Sequence, residues 1–126
     1  MVVVRTGTQR PSRHAWWSSE RMRPNPMIRH IAVFTFTDEA TDKDIDAMEA
    51  RLAGLPEAIE EIRSYALGRD LRLSGEGHDY AVVGDFDSAE DYHAYAAHPV
   101  HLHVVDTYVK PIIDGVVRVQ IDVDQV

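Results

Sequence analysis

The stretch HDYAVVGDFDSAEDYHAYAAHPVH, residues 78–101, contains the change of hydrophobic pattern on which the fold of this chain depends. Its residues 80–86 place apolar side chains on both faces of an extended segment, which predicts a strand that is covered on both sides. Ser88 then opens a helix, because its hydroxyl can cap the free amides of the first turn. His98 precedes Pro99, and the residue before a proline avoids the helical region, so the helix is predicted to break there.

The segments on either side of this stretch predict the remaining elements. Upstream, residues 28–37 and residues 62–67 are rich in β-branched and aromatic side chains and predict two strands. Between them, Thr41 caps a helix with an apolar stripe along one face. Downstream, residues 99–109 predict a further helix and residues 116–123 predict the last strand.

The predicted order, strand–helix–strand–strand–helix–strand, is that of a ferredoxin-like α+β fold. This fold places both helices on one face of a four-stranded antiparallel sheet, with the first and third predicted strands in its centre. Those two strands carry apolar residues on both faces, so the face opposite the helices needs a cover. We therefore expect a homodimer, formed sheet against sheet. The last predicted strand has a polar side that includes Arg118 and Gln120, and this side argues against a fully dry interface.

Length and composition exclude several classes of protein. The chain has 126 residues, the size of one domain, and 44% of them are hydrophobic, as in soluble globular proteins. No apolar run approaches the ~20 residues that a transmembrane helix needs, so no membrane association is expected. The chain has no cysteine, which excludes disulfide scaffolds, thiolate metal sites and cysteine nucleophiles. A cysteine-free chain also fits the reducing cytoplasm, where we expect the protein.

The charge is unevenly distributed along the chain. Residues 1–26 hold five arginines and one acid and lack a periodic apolar face, so we expect a disordered, basic N-terminal extension. Residues 27–126 are expected to form the domain, with eight basic and twenty acidic residues. Because an acidic body repels phosphate backbones, we expect no nucleic-acid binding.

Residues 28–123 resemble the stress-responsive A/B barrel (Dabb) domains, which belong to the dimeric α/β barrels. The matching stretches are IRHIAVFTF at 28–36, LPEAIEEIRSYALGRDL at 55–71, the stretch quoted above, and VKPIIDGVVRVQIDV at 109–123. The most specific piece is AYAAHPVH, residues 94–101. The resemblance implies the ferredoxin-like fold, a dimer that closes into an α/β barrel, and no cofactor.

The resemblance leaves two classes of function open. Most members have no known reaction, and some plant members are stress-associated proteins without clear chemistry. One plant member is a polyketide cyclase that performs an intramolecular aldol condensation without a cofactor, and related barrels include cofactor-free monooxygenases and isomerases. One hypothesis is therefore a cofactor-free enzyme for a small apolar carbonyl or aromatic compound. The alternative is a non-catalytic, stress-associated or small-ligand-binding dimer.

The resemblance assigns candidate catalytic roles to His101 and Tyr95. In the cyclase, the second histidine of an H-P-x-H segment acts as general base and a tyrosine six residues earlier assists it. A neutral imidazole can take a proton from the carbon next to a carbonyl group. A tyrosine hydroxyl can orient that imidazole or donate to the enolate oxygen. The alternative is that His101 only satisfies a backbone carbonyl.

Four further residues are candidate ligand contacts: His30, Phe34, Tyr80 and His98. His30 matches a histidine that lines the cyclase cavity, and Phe34 shares its face of the strand. Tyr80 is expected on the same side of the sheet and could pair with His30. The alternative for His30 and Tyr80 is packing in the core, and the alternative for His98 is a bond to the helix end.

The histidines do not predict a metal site. Four of them fall within eleven residues: His93, His98, His101 and His103. Imidazole suits zinc, copper, nickel and iron, but this spacing is irregular and no H-E-x-x-H pattern occurs. On a helix, positions 101 and 103 point away from each other, so we expect no metal ligands here.

Overall fold

The computed structural model of the chain describes residues 2–5 and 26–124. The elements in chain order are β1 (Val2–Arg5), β2 (Ile28–Phe36), α1 (Asp42–Ala53), α2 (Leu55–Ala58), β3 (Ile62–Arg69), β4 (Tyr80–Phe86), α3 (Ala89–Ala97), α4 (Pro99–Val104) and β5 (Ile113–Asp122). A wide π-helical turn, Val105–Val109, and a 3₁₀ turn, Lys110–Ile112, connect α4 to β5. None of the described helices has the length and apolarity that crossing a bilayer requires.

The strands form one antiparallel sheet in the order β1-β3-β4-β2-β5. The last four of these strands are the predicted ferredoxin-like sheet, and β2 and β4 occupy its centre, as predicted. The expectation that residues 1–26 are disordered is wrong for Val2–Arg5, which pairs with the edge of β3. Three consecutive β-branched valines favour an extended backbone, and the outer edge of β3 offers unpaired backbone groups. Residues 6–25 of the predicted extension lie outside the described residues.

The hydrophobic core lies between the sheet and the helix layer. Helix α1 begins with a capping box, in which the Thr41 hydroxyl accepts a hydrogen bond from the Asp44 amide and the Asp44 carboxylate accepts one from the Thr41 amide. This cap sets the start of the helix and thereby the face that carries Ile45, Met48 and Leu52 into the core. The sheet contributes alternate residues of β2 and β4, and α3 contributes Tyr95.

The apolar side of β5 faces away from the helices and its polar side faces them, which is the reverse of the arrangement expected from the sequence. Val117 lies opposite Val33 and Val119 lies opposite Ile31, and residues directly opposite one another share a face of the sheet. The apolar side of β5 therefore lies on the open face of the sheet, away from the helices, where Val117 is 51% exposed. Arg118 points to the helix side, so the expectation of a polar β5 side at the open face is wrong. Alternation shows that two sides of a strand differ, but it does not show which side the helices cover.

Candidate functional site

A cavity of about 380 Å³ lies between the helix side of the sheet and the segment from α3 to β5. Most of its wall is apolar. The wide turn after α4 contributes Val105 and Val109, and Phe34 and Val116 come from the sheet. The polar side chains among the lining residues are His30, Tyr65, Tyr92, Tyr95, His101, Lys110 and Arg118. Two of the three histidines that sequence analysis selected for chemistry or ligand contact, His30 and His101, therefore reach one cavity.

His101 is held in one orientation by the end of the preceding helix. Its Nδ1 lies 3.1 Å from the carbonyl oxygen of Ala96. Because a carbonyl only accepts hydrogen bonds, Nδ1 carries the proton and Nε2 of the neutral ring is the basic atom. Burial lowers the pKa of His101, although the bond to Ala96 opposes that shift. The ring is therefore predominantly neutral at pH 7. The carbonyl bond that the alternative role assigned to His101 is present, and it leaves Nε2 free for chemistry.

Tyr95 contacts His101 through its ring, while its hydroxyl has another partner. The two ring centroids are 4.3 Å apart. The Tyr95 hydroxyl lies 2.7 Å from the hydroxyl of Tyr65, and both tyrosines are buried. Burial raises the pKa of Tyr95 to about 12, so the group stays protonated at pH 7. Whichever hydroxyl accepts in this pair keeps its own proton, which it can donate to a ligand in the cavity.

His30 is a buried, neutral histidine on the sheet side of the cavity. Its Nδ1 lies 2.9 Å from Nε2 of Gln120, an amide nitrogen that donates, so the proton of the neutral ring is on Nε2. Burial is the main cause that lowers the pKa of His30 to about 4, and the positive charges of His101 and Arg118 contribute the rest of this shift. Since Nε2 carries a proton, His30 is a hydrogen-bond donor at pH 7, whereas His101 presents an acceptor.

Tyr80 lies outside the cavity and does not pair with His30, contrary to the sequence-based expectation. The strand register places Phe34 opposite Tyr80 and places His30 opposite Gly84. Four residues of strand separate the two positions, a distance of about 13 Å along the sheet. The Tyr80 hydroxyl instead donates to Glu49 on α1, at 2.6 Å. Tyr80 is buried and packs against Phe34 and Phe36, and its role as a ligand contact stays a prediction.

His98 also lies outside the cavity lining and serves the backbone. Its Nδ1 accepts a hydrogen bond from the amide of Val100 at 3.1 Å, which caps the start of α4. This bond matches the alternative role that we gave to His98. Phe34 does line the cavity, as expected, and stacks on Tyr80. In residues 2–5 and 26–124, no group of three or more histidines and carboxylates is placed to hold a metal ion.

Sequence analysis missed four polar residues of the cavity lining, Tyr65, Tyr92, Lys110 and Arg118, and it also missed Gln120, which contacts His30. The only available signal for Arg118 and Gln120 was the polar alternation of the last strand, which we had assigned to the wrong layer. Tyr65 had no signal, because a tyrosine in a strand is ordinary core material. Its role depends on a 2.7 Å contact with Tyr95, thirty positions along the chain.

Comparison with known proteins identifies the family. The model of the Stress responsive A/B Barrel Domain family matches residues 28–124. One stress-response A/B barrel domain-containing protein of Arabidopsis thaliana is 30% identical over 101 residues, which are 79% of this chain and 38% of that protein. A second protein of the same description and the same plant is 25% identical over 77 residues, covering 60% of this chain and 71% of its own length. The chain thus spans well under half the length of the first of these relatives.

Structural comparison agrees with this result. A dimeric ferredoxin-like protein of unknown function from Thermobifida fusca is 35% identical to this chain, with a TM-score of 0.73. The match covers 79% of this chain and 93% of that protein. Since the family model covers most of the chain, and nearly all of the described residues, the chain belongs to the stress-responsive A/B barrel domain family.

Proposed function

We propose that the chain is a cofactor-free enzyme in which His101 removes a proton from the carbon next to a carbonyl group of a small, largely apolar compound. One observation carries this proposal. The Ala96 carbonyl holds the proton of His101 on Nδ1, so the basic Nε2 belongs to a neutral imidazole in the wall of a cavity. A neutral imidazole with a pKa somewhat below its usual value is suited to act as a general base at pH 7.

The cavity suits the proposed class of compound. Its volume of about 380 Å³ falls within the roughly 300–1,000 Å³ that is usual for small-molecule sites. Its mostly apolar wall favours an apolar or aromatic body, and it limits the water that would compete for the base. Among its polar residues, Tyr95 lies close to both histidines, with its ring centroid 6.0 Å from that of His30 and 4.3 Å from that of His101.

The proposed step needs a base and a donor in the same cavity. The carbon–hydrogen bond breaks, the proton moves to Nε2 of His101, and the electron pair moves onto the carbonyl oxygen as an enolate. The Nε2 proton of His30 and a tyrosine hydroxyl proton are available to stabilise that oxygen. The imidazolium of His101 then returns its proton to the product, which completes an isomerisation or an aldol-type ring closure.

Deuterium exchange tests the proposal without knowledge of the natural substrate. The full chain is mixed with acetophenone in D2O, and loss of the methyl proton signal is followed by NMR. We expect faster exchange than in buffer. His101→Asn keeps an amide donor for the Ala96 carbonyl but has no base, and should reduce exchange to the buffer rate. The control is His103→Asn, an exposed residue of the same helix outside the cavity lining, which should leave exchange unchanged.

The same experiment separates the two classes of function. Exchange that is unaffected by His101→Asn would contradict the assignment of the base. Acetophenone that shifts the NMR signals of His30 and His101, but exchanges no faster than in buffer, would support the non-catalytic ligand-binding alternative.

We also propose that two copies of the chain pair through the open faces of their sheets. This face carries exposed apolar residues of β5, with Val119 47% and Ile121 45% exposed, next to apolar residues of β2 and β4. The similar Thermobifida fusca protein is described as dimeric. Light scattering should give twice the chain mass, and Val119→Glu should yield monomers. The matched control is Val100→Glu, since Val100 is exposed on the helix side. A wild-type monomer at micromolar concentration would contradict the proposal.

A further inference from the structure

The charge of the cavity lining contrasts with the charge of the chain. The chain has 21 acidic residues against 13 basic ones. Yet none of the 17 described residues that line the cavity is an aspartate or a glutamate, whereas two are cations, Lys110 and Arg118. A cavity that contains cations and excludes carboxylates, in an otherwise acidic domain, favours an anionic ligand.

Of these two cations, Arg118 is the one that forms no ion pair with a described carboxylate. The Lys110 ammonium group lies 2.9 Å from the Asp106 carboxylate. The other arginines whose side chains the structure describes also have partners. Arg29, Arg63, Arg69 and Arg72 form ion pairs with aspartates, and Arg51 lies over the ring of Tyr108. Among the described side chains, only Arg118 is an arginine without a carboxylate or an aromatic ring as partner.

The position of Arg118 connects it to both histidines. It lies opposite Ala32 on the cavity face of the sheet, two residues before Gln120, which contacts His30. Its positive charge lowers the pKa of His30 and that of His101, so both imidazoles lie within its electrostatic reach. Arg118 is exposed to solvent, whereas His101 is partly buried.

We propose that Arg118 is a substrate-binding residue, and that the cavity takes a carboxylate compound with an apolar or aromatic body and its carbonyl group toward His101. A guanidinium matches the two oxygens of a carboxylate with two parallel hydrogen bonds. The apolar wall beside it strengthens this pair relative to the same pair in open water. The carbonyl part of this inference rests on the proposed function, whereas the carboxylate part rests on the charges of the lining alone.

Matched probes test the carboxylate preference. The dissociation constants of 4-acetylbenzoate and of neutral 4-methylacetophenone are measured with the full chain by NMR titration at pH 7.5. We expect the carboxylate to bind about tenfold more tightly or better. Arg118→Gln should weaken 4-acetylbenzoate about tenfold and leave 4-methylacetophenone unchanged. Arg118→Lys should retain part of the preference, since it keeps the charge but loses the fork of donors.

A second cation provides the control for net charge. Lys43 is exposed on α1 and lies outside the cavity, so Lys43→Gln changes the chain charge equally and should leave both constants unchanged. The inference is overturned if 4-acetylbenzoate does not bind at millimolar concentration, or if the neutral probe binds as tightly. It is also overturned if Arg118→Gln weakens both probes alike, or if Lys43→Gln has the same effect. A carboxylate preference without deuterium exchange would contradict the proposed catalysis and leave the role of Arg118 supported.

Discussion

The rings of Tyr95 and His101 lie 4.3 Å apart although they belong to different helices. On one continuous helix, residues six positions apart differ by about 240° around the axis and point in different directions. The extended backbone of His98, followed by Pro99, ends α3 and turns α4, so that the two side chains meet. The same break lets His101 bond back to Ala96 in α3. The geometry of the proposed base therefore depends on a local interruption of the helix.

The buried pair of Tyr65 and Tyr95 gives a test of coupling. Tyr65→Phe and Tyr95→Phe each leave one buried hydroxyl without its partner, which should cost about 1–2 kcal/mol of unfolding free energy. The double variant removes both hydroxyls, so its loss should be smaller than the sum of the two single losses. Urea unfolding of the four proteins measures this cycle. Strictly additive losses would show that the 2.7 Å contact contributes no coupling energy.

His30 predicts a specific dependence of stability on pH. Its pKa is about 4 in the folded chain and about 6.5 when unfolded, so below pH 6.5 the unfolded state binds the proton more readily. Stability should therefore fall by about 1–2 kcal/mol between pH 7.5 and pH 5, and His101 should add a loss of the same sign. Urea unfolding at both pH values measures the effect.

Comparison with a His30→Gln variant isolates this contribution, because the carboxylates titrate in both proteins. The variant should lose less stability than the wild type over the same interval. An NMR titration that places the pKa of His30 near 6.5 would contradict the explanation.

Gly84 is predicted to be intolerant of a side chain. A methyl group there would lie 3.1 Å from the Tyr65 ring and 3.3 Å from the Phe86 ring, closer than ordinary contacts allow. Gly84→Ala should therefore displace Tyr65 and cost about 1–3 kcal/mol of unfolding free energy. Gly115→Ala is the control, because a methyl group at that strand position meets nothing within 4 Å. Equal thermal stability of the two variants would argue against tight packing at Gly84.

Removal of residues 1–26 tests the predicted domain boundary at residue 27. All described members of the buried core cluster lie between Ala32 and Ile112, so a chain of residues 27–126 should keep the fold. It loses the four β1 pairs with β3, and we expect a loss of about 1–2 kcal/mol. Circular dichroism and urea unfolding measure both expectations. A truncated chain that fails to fold would show that the N-terminal segment belongs to the domain.

The sequence by itself determined the order of the strands β2 to β5 and of the main helices between them, and the break before Pro99, but not the strand β1. Both follow from interactions within a few residues. Hydrophobic period, the caps at Thr41 and Ser88, and the steric effect of a proline on its predecessor are all local. The central position of β2 and β4 also followed, since only central strands need apolar residues on both faces. His101 and Tyr95 were identified because the segment AYAAHPVH, residues 94–101, resembles a segment of the stress-responsive A/B barrel family.

Only the tertiary structure decided which residues surround His101. Cross-strand register places Gly84, and not Tyr80, opposite His30, and a shift of one residue exchanges the faces of a whole strand. The orientation of β5 likewise sends Arg118 toward the cavity and Val119 to the open face. Such contacts join positions 30 to 90 residues apart, where no local preference acts. These contacts depend on how the sheet packs against its helices. The alternation of polar and apolar side chains along a strand is the same whichever side faces the helices, so only the packing decides which side does.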